Sequence, residues 1–238
     1  LDNFRLEEER LAKSENREVR KLSEEQQRAI IEITTTKDKY FAVQGLAGTG
    51  KTFMLDYARQ AYEQEGYTVK GACFTGKAAE GLEKDAKIPS TTIHSHLNKL
   101  EREAGNSNPK EDMQNKTNWN FEGLQKARNK EVWIIDEASL VDNNTMNNLL
   151  KAAQIKESKV VFVGDSKQLL PVGAGNAYAN VVEKKQIGTV KIEDIRRQKN
   201  ETLLESVKES VKGDIKQSFK LLDNRIQEES KPKKRIEK

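Results

Sequence analysis

A glycine-rich motif in the first quarter of the chain constrains the fold more than any other feature. Residues 45–52 read GLAGTGKT and fit the pattern G-x-x-x-x-G-K-[ST] in full. The motif follows an apolar stretch, residues 40–44, that predicts a β-strand, and precedes residues 54–62, where apolar side chains recur at helical spacing. A strand, a glycine-rich turn and a helix in this order are typical of a phosphate-binding loop.

Such a loop binds phosphate mainly through its backbone. Glycines let successive N–H groups point at one anion, and the following helix adds its N-terminus. Lys51 is expected to supply a cation for the β- and γ-phosphates, and the Thr52 hydroxyl to hold Mg²⁺. The motif predicts nucleotide contacts from Gly45, Ala47, Gly48, Thr49, Gly50, Lys51 and Thr52.

Beyond Leu22, short apolar strands alternate with amphipathic helices, which is typical of an α/β fold with a parallel sheet. Strands are predicted over residues 40–44, 69–74, 132–136, 160–164 and, more weakly, 190–192. Residues 1–21 are charged throughout and predict an exposed helical leader. Residues 22–224 are expected to form the nucleotide-binding domain, and the polar residues 225–238 a linker or frayed end.

Composition excludes several classes of function. The 42 Lys and Arg against 38 Asp and Glu leave a net charge of +4, which permits anionic partners without identifying one. A single cysteine, Cys73, rules out an intramolecular disulfide and a multi-cysteine zinc site. His94 and His96 have no matching acidic or cysteine cluster, so a metal site is not expected there. No apolar run approaches the roughly 20 residues that span a bilayer, and we expect a cytoplasmic protein.

Two acids follow the predicted strand 132–136. Asp136 and Glu137 lie at the carboxyl end of the apolar run VWII, where open α/β sheets bind ligands. Asp136 is expected to hold Mg²⁺, directly or through water, and Glu137 to orient and deprotonate the attacking water. An acidic turn on the surface is the alternative interpretation.

Polar residues also follow the predicted strand 160–164. Asp165 and Gln168 are expected to face the same crevice as the two acids. A glutamine amide can donate to a γ-phosphate and accept from water, so Gln168 could sense whether that phosphate is present. The residues alone are equally compatible with a turn that senses nothing.

Six segments together resemble the first motor domain of a superfamily 1 helicase of the RecD-like type, a RecA-like domain. They are GLAGTGKT, FTGKAAEGLE, STTIHSHL, IIDEAS, GDSKQLLPVGAG and IRRQ. Within that group they most resemble the helicase part of conjugative relaxases of the TraA/TraI kind. The resemblance runs from about residue 22 to residue 222.

The resemblance implies further roles at the nucleotide. It makes ATP the nucleotide, because Gln26 stands where the family has the glutamine that recognises adenine; from the residues alone Gln26 is a glutamine at a helix start. Arg197 matches the arginine that reaches the γ-phosphate, although Arg196 beside it could take that role, or both could be surface charges. Gln168 would couple loss of the γ-phosphate to the grip on DNA.

The resemblance also implies contacts with single-stranded DNA. They are expected from Thr75, Gly76, Lys77, Thr91, Thr92 and His94, called here the DNA surface. Small residues and one lysine suit close approach to a phosphate, although any helix N-terminus looks the same.

The implied function is a 5′-to-3′ DNA helicase motor that hydrolyses ATP on single-stranded DNA within a conjugative DNA-transfer protein, with other conjugation proteins as further partners. The sequence contains no motif of a second motor domain and no three-histidine relaxase site, so we expect unwinding to need a domain beyond this chain. A non-unwinding module that binds ATP and single-stranded DNA is the alternative. The STTIHSHL and GDSKQLLPVGAG segments weigh against a P-loop ATPase that acts on protein or in signalling.

Overall fold

A computed structural model describes residues 2–16, 18–46, 48–106, 116–168, 171, 173–194 and 201–222. The chain divides into two compact units, residues 1–194 and residues 195–238. The first unit contains the phosphate loop.

A parallel sheet forms the centre of the first unit, as the sequence predicts. Its strands are β1 Tyr40–Gly45, β2 Thr68–Cys73, β3 Ser90–Thr92, β4 Glu131–Asp136, β5 Lys159–Gly164 and β6 Gly188–Ile192. They lie in the order β3-β2-β4-β5-β1-β6, and every neighbouring pair is parallel. The carboxyl ends of all these strands therefore meet at one edge of the sheet.

Helices flank both faces of this sheet. They are α2 Glu24–Thr35, α3 Lys51–Gln64, α4 Gly76–Ala86, α5 Ile93–Glu103, α6 Asn143–Lys156 and α7 Ala177–Glu183, with a short 3₁₀ turn at Ala138–Leu140; α1 Asp2–Ser14 precedes them in the chain. Successive side chains of a strand point to opposite faces. In β4, Val132 and Ile134 pack into one buried cluster, and Trp133 and Ile135 into the other. Both faces are thus buried, which explains the continuous apolar run in the sequence.

Two local predictions differ from the structure. The edge strand β3 has only three residues, Ser90–Thr92, too few to show a period in the sequence. The leader is helical as expected, but it is not wholly exposed: Glu8 and Ala12 are buried. The Glu8 carboxylate accepts hydrogen bonds from Arg20 N at 3.0 Å and Arg20 Nε at 3.3 Å, and this pairing is why a charged helix can pack there.

The second unit contains two helices among its described residues, α8 Glu201–Lys212 and α9 Ile215–Leu221. The apolar spacing of the sequence predicts both. Ser206 Oγ donates to Ser218 O at 3.0 Å and joins them. The expected linker, residues 225–238, lies outside the described residues.

Candidate nucleotide and DNA site

Most of the predicted site residues that the structure describes lie at the carboxyl edge of the sheet. The phosphate loop follows β1, Asp136 and Glu137 stand at the end of β4, and Gln168 follows β5, which lies between those two strands. The DNA surface occupies the same edge, after β2 and β3. Open parallel sheets bind ligands in the crevice at this edge.

The phosphate loop is closed by its own hydrogen bonds. Lys51 Nζ donates to Gly45 O at 2.7 Å and to Leu46 O at 3.0 Å, and Thr49 Oγ1 donates to Leu46 O at 2.9 Å. Gly50, the N-cap of α3, has a φ of +73°, in the region that favours glycine. Ala47 lies outside the described residues. A phosphate group that recruits Lys51 must therefore replace carbonyl partners.

Gln26 is buried beneath this loop, with 1% of its surface exposed. Its Oε1 accepts from Ser23 N at 2.9 Å, and Ser23 Oγ accepts from Gln26 N at 3.2 Å, which makes a capping box for α2. Its Nε2 donates to Thr49 O at 2.8 Å and to Gly50 O at 3.3 Å. Gln26 thus fixes the phosphate loop to α2, a contact that the sequence did not reveal. Recognition of adenine by Gln26 stays a prediction.

The two acids have different environments. Asp136 Oδ1 accepts from Glu137 N at 2.9 Å. Burial raises the pKa of Asp136, and the Glu137 N–H and the Lys51 ammonium oppose that rise. Burial is also the main cause of the raised pKa of Glu137, followed by the charge of Asp136; hydrogen bonds from Thr75 oppose it. Lys51 thus acts on the carboxylate predicted to hold Mg²⁺, which places phosphate loop and acid in one electrostatic environment.

Glu137 also contacts the DNA surface. Thr75 Oγ1 lies 3.3 Å from Glu137 Oε2 and donates to it. The same hydroxyl accepts from Ala78 N at 3.1 Å, so Thr75 is the N-cap of α4. Glu137 has a φ of +54°, a strained conformation for a residue with a side chain. The sequence predicted both residues separately, but not this contact between them.

Gln168 and Asp165 contact each other directly after β5. Gln168 Nε2 donates to Asp165 Oδ2 at 3.0 Å. Gln44, at the end of β1, joins them: its Nε2 donates to Asp165 Oδ1 at 3.2 Å and its Oε1 accepts from Ser166 N at 3.1 Å. A lone glutamine in an otherwise apolar strand, directly before the phosphate loop, was the signal that could have identified Gln44. The sensing role of Gln168 stays a prediction.

The remaining DNA-surface residues lie at the starts of α4 and α5. Gly76 and Lys77 are exposed in the first turn of α4, and Thr91 is exposed on β3. Thr92 is the N-cap of α5; its Oγ1 accepts from Ser95 N at 3.2 Å. These positions follow from the topology, because β2 and β3 are neighbours and each runs into a helix at the same edge.

His94 lines a cavity of about 540 Å³ that also contacts Thr117 and Asn144. Its ring packs edge-on against Trp119, with centroids 5.5 Å apart. Trp119 is buried and its Nε1 donates to Asn98 Oδ1 at 2.7 Å, so its ring packs inside the domain.

His96 points into the core instead. It packs edge-on against Trp133 at 4.6 Å, and its Nε2 is buried without a hydrogen-bond partner in the described structure. Burial is the main cause that lowers the pKa of His96 to about 4. Within the described ranges, no group of three or more His, Cys, Asp or Glu side chains is placed to hold a metal ion.

Arg197 and Arg196 lie outside the described residues. The backbone just before them is fixed: Glu25 Oε2 accepts from Glu193 N at 2.7 Å and from Asp194 N at 3.0 Å. Because Glu25 and Gln26 are adjacent in α2, the first turn of this helix contacts both the phosphate loop and the backbone that leads to the two arginines. Contact of Arg197 with a γ-phosphate stays a prediction.

The comparisons with known proteins agree with this geometry. The model of an AAA domain family, AAA_30, matches residues 21–229. The chain belongs to this family. The AAA domain is 34% identical over 195 residues to the probable conjugal transfer protein TraA of Sinorhizobium fredii, which covers 82% of this chain and 16% of that protein. It is 34% identical over 201 residues to the conjugal transfer protein TraA of Agrobacterium fabrum, covering 84% of this chain and 16% of that one.

The chain therefore spans about a sixth of the length of the curated relatives it matches. Among solved structures, it is similar to the crystal structure of Pif1 helicase from Candida albicans, with a TM-score of 0.55, 20% identity, and coverage of 81% of this chain and 44% of that one. At this identity the likeness shows the fold. The predicted α/β P-loop fold and the resemblance to TraA are confirmed.

The AAA domain offers ligands that suit Mg²⁺. Thr52 follows Lys51 in the first turn of α3, and Asp136 lies within the influence of the Lys51 ammonium. A hydroxyl and a carboxylate are hard oxygen donors, the kind that Mg²⁺ prefers, and it commonly uses one or two protein ligands beside the phosphates. The residues present therefore fit the ion.

None of the helices in the described part of the chain is both long and apolar enough to traverse a lipid bilayer.

Proposed function

We propose that this AAA domain binds ATP with Mg²⁺, hydrolyses it in response to single-stranded DNA, and serves as the first motor domain of a 5′-to-3′ helicase in a conjugative DNA-transfer protein of the cytoplasm. The observation that carries the proposal is the convergence of three groups on one sheet edge: the phosphate loop, the Asp136–Glu137 pair and the DNA surface. A phosphate loop alone indicates nucleotide binding, whereas the adjacent acids supply what hydrolysis needs.

Each residue of the site has one role in this proposal. The loop N–H groups and Lys51 bind phosphate oxygens, and Thr52 and Asp136 hold Mg²⁺, which neutralises charge on the phosphates when bound. Glu137 accepts a proton from the attacking water. Its raised pKa suits a base, because a carboxylate with a pKa nearer neutrality takes up a proton more readily. Arg197 stabilises the transferred phosphoryl group.

DNA binding is proposed for two hydroxyls and a cation at helix starts. Thr75, Lys77 and Thr92 lie at the N-termini of α4 and α5, where backbone N–H groups and the helix dipole favour phosphate. Direction of travel and the place in conjugation rest on the resemblance to TraA and RecD-like proteins. The whole protein's unwinding activity is likewise proposed from relatives of which this chain covers 16%.

The proposal is tested by ATP hydrolysis on this chain with and without single-stranded DNA at modest salt, with Lys51→Ala in parallel. We expect DNA to stimulate hydrolysis and the variant to lose it. An equal rate of ATP hydrolysis with and without DNA would contradict the proposal and favour an ATPase with another substrate. Tight binding of ATP and DNA without turnover would favour the non-unwinding binding module.

Direction is tested separately, on a longer form of the protein that includes the second motor domain. Duplexes carry a single-stranded tail at one end only. Unwinding of the 5′-tailed duplex is expected, and unwinding of the 3′-tailed duplex alone contradicts the assigned polarity.

A further inference from the structure

The Thr75 hydroxyl connects the DNA surface with the proposed catalytic acid. It donates to Glu137 Oε2 at 3.3 Å and accepts from Ala78 N at 3.1 Å. Thr75 is exposed and Glu137 is half-buried, so the hydroxyl is accessible to a ligand arriving from solvent. No other residue of the DNA surface makes a hydrogen bond to Asp136 or Glu137 in the described structure.

A hydroxyl has one proton and two lone pairs. The bond from Ala78 N uses a lone pair and can persist, but the single proton can point at only one acceptor. A DNA phosphate oxygen is an acceptor only, as is the Glu137 carboxylate. A phosphate that binds the Thr75 hydroxyl therefore takes the proton that Glu137 shares in the DNA-free protein.

Glu137 needs its carboxylate oxygens for water. A general base must accept a hydrogen bond from the molecule it deprotonates. An oxygen that already accepts from Thr75 is drawn toward α4 and is a weaker acceptor for water. Loss of the Thr75 bond therefore makes Glu137 a better base.

We infer that Thr75 is a positioning residue for Glu137. While DNA is absent, the Thr75 hydroxyl holds the Glu137 carboxylate, and it releases the carboxylate when it donates its hydrogen bond to a DNA phosphate instead. This inference rests on the proposed function and adds to it the way in which DNA stimulates hydrolysis. Coupling between two sites is reciprocal. Glu137 must therefore weaken DNA binding through Thr75 by the same factor as DNA weakens the bond to Glu137.

Reciprocity allows a test that needs no turnover. The affinity for a fluorescein-labelled oligothymidylate is measured without nucleotide for the wild type, Thr75→Val, Glu137→Ala and the double variant. Removing Glu137 is expected to tighten binding, both by removing a negative charge and by freeing the hydroxyl. Only the second effect disappears in the valine background. The gain from Glu137→Ala should therefore be about two- to tenfold larger in the wild type than in the Thr75→Val background, the range for one exposed hydrogen bond.

Thr92 provides the matched control. It is also a threonine N-cap on the DNA surface, but its hydroxyl contacts Ser95 and not Glu137. In the Thr92→Val background the gain from Glu137→Ala should equal the wild-type gain. Thr75→Ser, which keeps the hydroxyl, should restore the full gain. Thermal unfolding of each variant checks that loss of a helix cap leaves the domain folded.

The outcomes separate the inference from the proposed function. Equal gains in the Thr75→Val, Thr92→Val and wild-type backgrounds, with DNA binding retained, overturn the role of Thr75 and leave the proposed function intact. A wild-type chain that does not bind the oligonucleotide overturns both.

Discussion

The phosphate loop and the DNA surface lie at the same edge of one sheet, yet they are built in opposite ways. The phosphate loop is held by internal bonds: Lys51 binds two loop carbonyls, and the buried Gln26 amide binds two more. The DNA surface consists of exposed and half-buried residues at the starts of α4 and α5, and the hydroxyls of Thr75 and Thr92 cap these helices. Nucleotide must therefore displace the carbonyl partners of Lys51, whereas DNA meets groups at the protein surface and replaces single hydroxyl bonds such as that from Thr75 to Glu137.

This difference suggests that the two regions contribute to ligand binding in different ways. A closed loop gives nucleotide binding a specific geometry, and substitutions there should act on affinity and turnover strongly. In the DNA surface, the hydroxyls and the one lysine should each contribute little to the affinity for DNA, and these contributions should depend on salt.

The acid between the two regions should show the largest effect. Glu137→Gln is expected to lower kcat by about 10²- to 10⁴-fold, the usual contribution of a general base, while nucleotide affinity changes little. Steady-state hydrolysis and equilibrium binding of a labelled nucleotide measure the two quantities. If hydrolysis survives the substitution, Glu137 is not the base and does not connect the phosphate loop with the DNA surface.

The core beneath the DNA surface should be sensitive to acid. His96, on α5, has a pKa lowered to about 4 in the folded protein, mainly by burial and then by Lys70 and Lys99, whereas Glu131 and Glu103 raise it. The unfolded chain, with a pKa of 6.5 at this residue, binds the proton first. The free energy of unfolding should therefore fall as pH falls from 6.5 toward 4, by about 2 kcal/mol at pH 5.

Urea unfolding at pH 7 and pH 5 measures this loss. His96→Leu is the comparison, because it removes the titrating group while keeping an apolar side chain against Trp133. The wild type should lose more stability than the variant over this interval. Equal losses would mean that His96 does not cause the acid sensitivity.

Gln26 tests whether the phosphate loop depends on its support from α2. Gln26→Met keeps the side-chain length but removes the donors to Thr49 O and Gly50 O. Gly50 O keeps its bond from Met54 N, but the buried Thr49 O loses its Gln26 donor, and this loss should lower the affinity for ATP and for GTP about tenfold each. Ser23→Ala, which weakens the capping box but leaves the Gln26 amide in place, is the control and should have the smaller effect. A selective loss of ATP affinity would instead support adenine recognition by Gln26.

Lys77 should show the smallest effect, and only through salt. Lys77→Ala is expected to reduce the slope of log affinity for single-stranded DNA against log salt by about 0.7, the value for one phosphate contact. Lys84, in the last turn of the same helix, is a matched lysine outside the DNA surface. If Lys84→Ala changes the slope as much as Lys77→Ala, the DNA surface is wrongly placed.

Sequence patterns predicted the parts of the site that depend on local chemistry. The phosphate loop, the two acids after β4 and most strand positions follow from motifs and apolar runs that need no tertiary context. The bond between Gln44 and Asp165, the burial of Glu8 and the bond between Thr75 and Glu137 could not be predicted in this way. Two of these contacts join residues far apart in the chain, 121 positions for Gln44 to Asp165 and 62 for Thr75 to Glu137, and the order of strands in the sheet brings them together. Glu8 is buried through its pairing with Arg20, 12 positions away, which depends on how the leader helix packs.

The most direct test is whether a ligand bound at the phosphate loop changes the affinity of the DNA surface for DNA, and the reverse. Affinity for a labelled single-stranded oligonucleotide is measured with and without a non-hydrolysable ATP analogue, and affinity for the analogue with and without DNA. We expect each ligand to change the affinity of the other by the same factor, and Lys51→Ala to abolish the change. If the wild type binds both ligands and neither alters the affinity for the other, the two regions are independent, and the proposed coupling between the phosphate loop and the DNA surface is wrong.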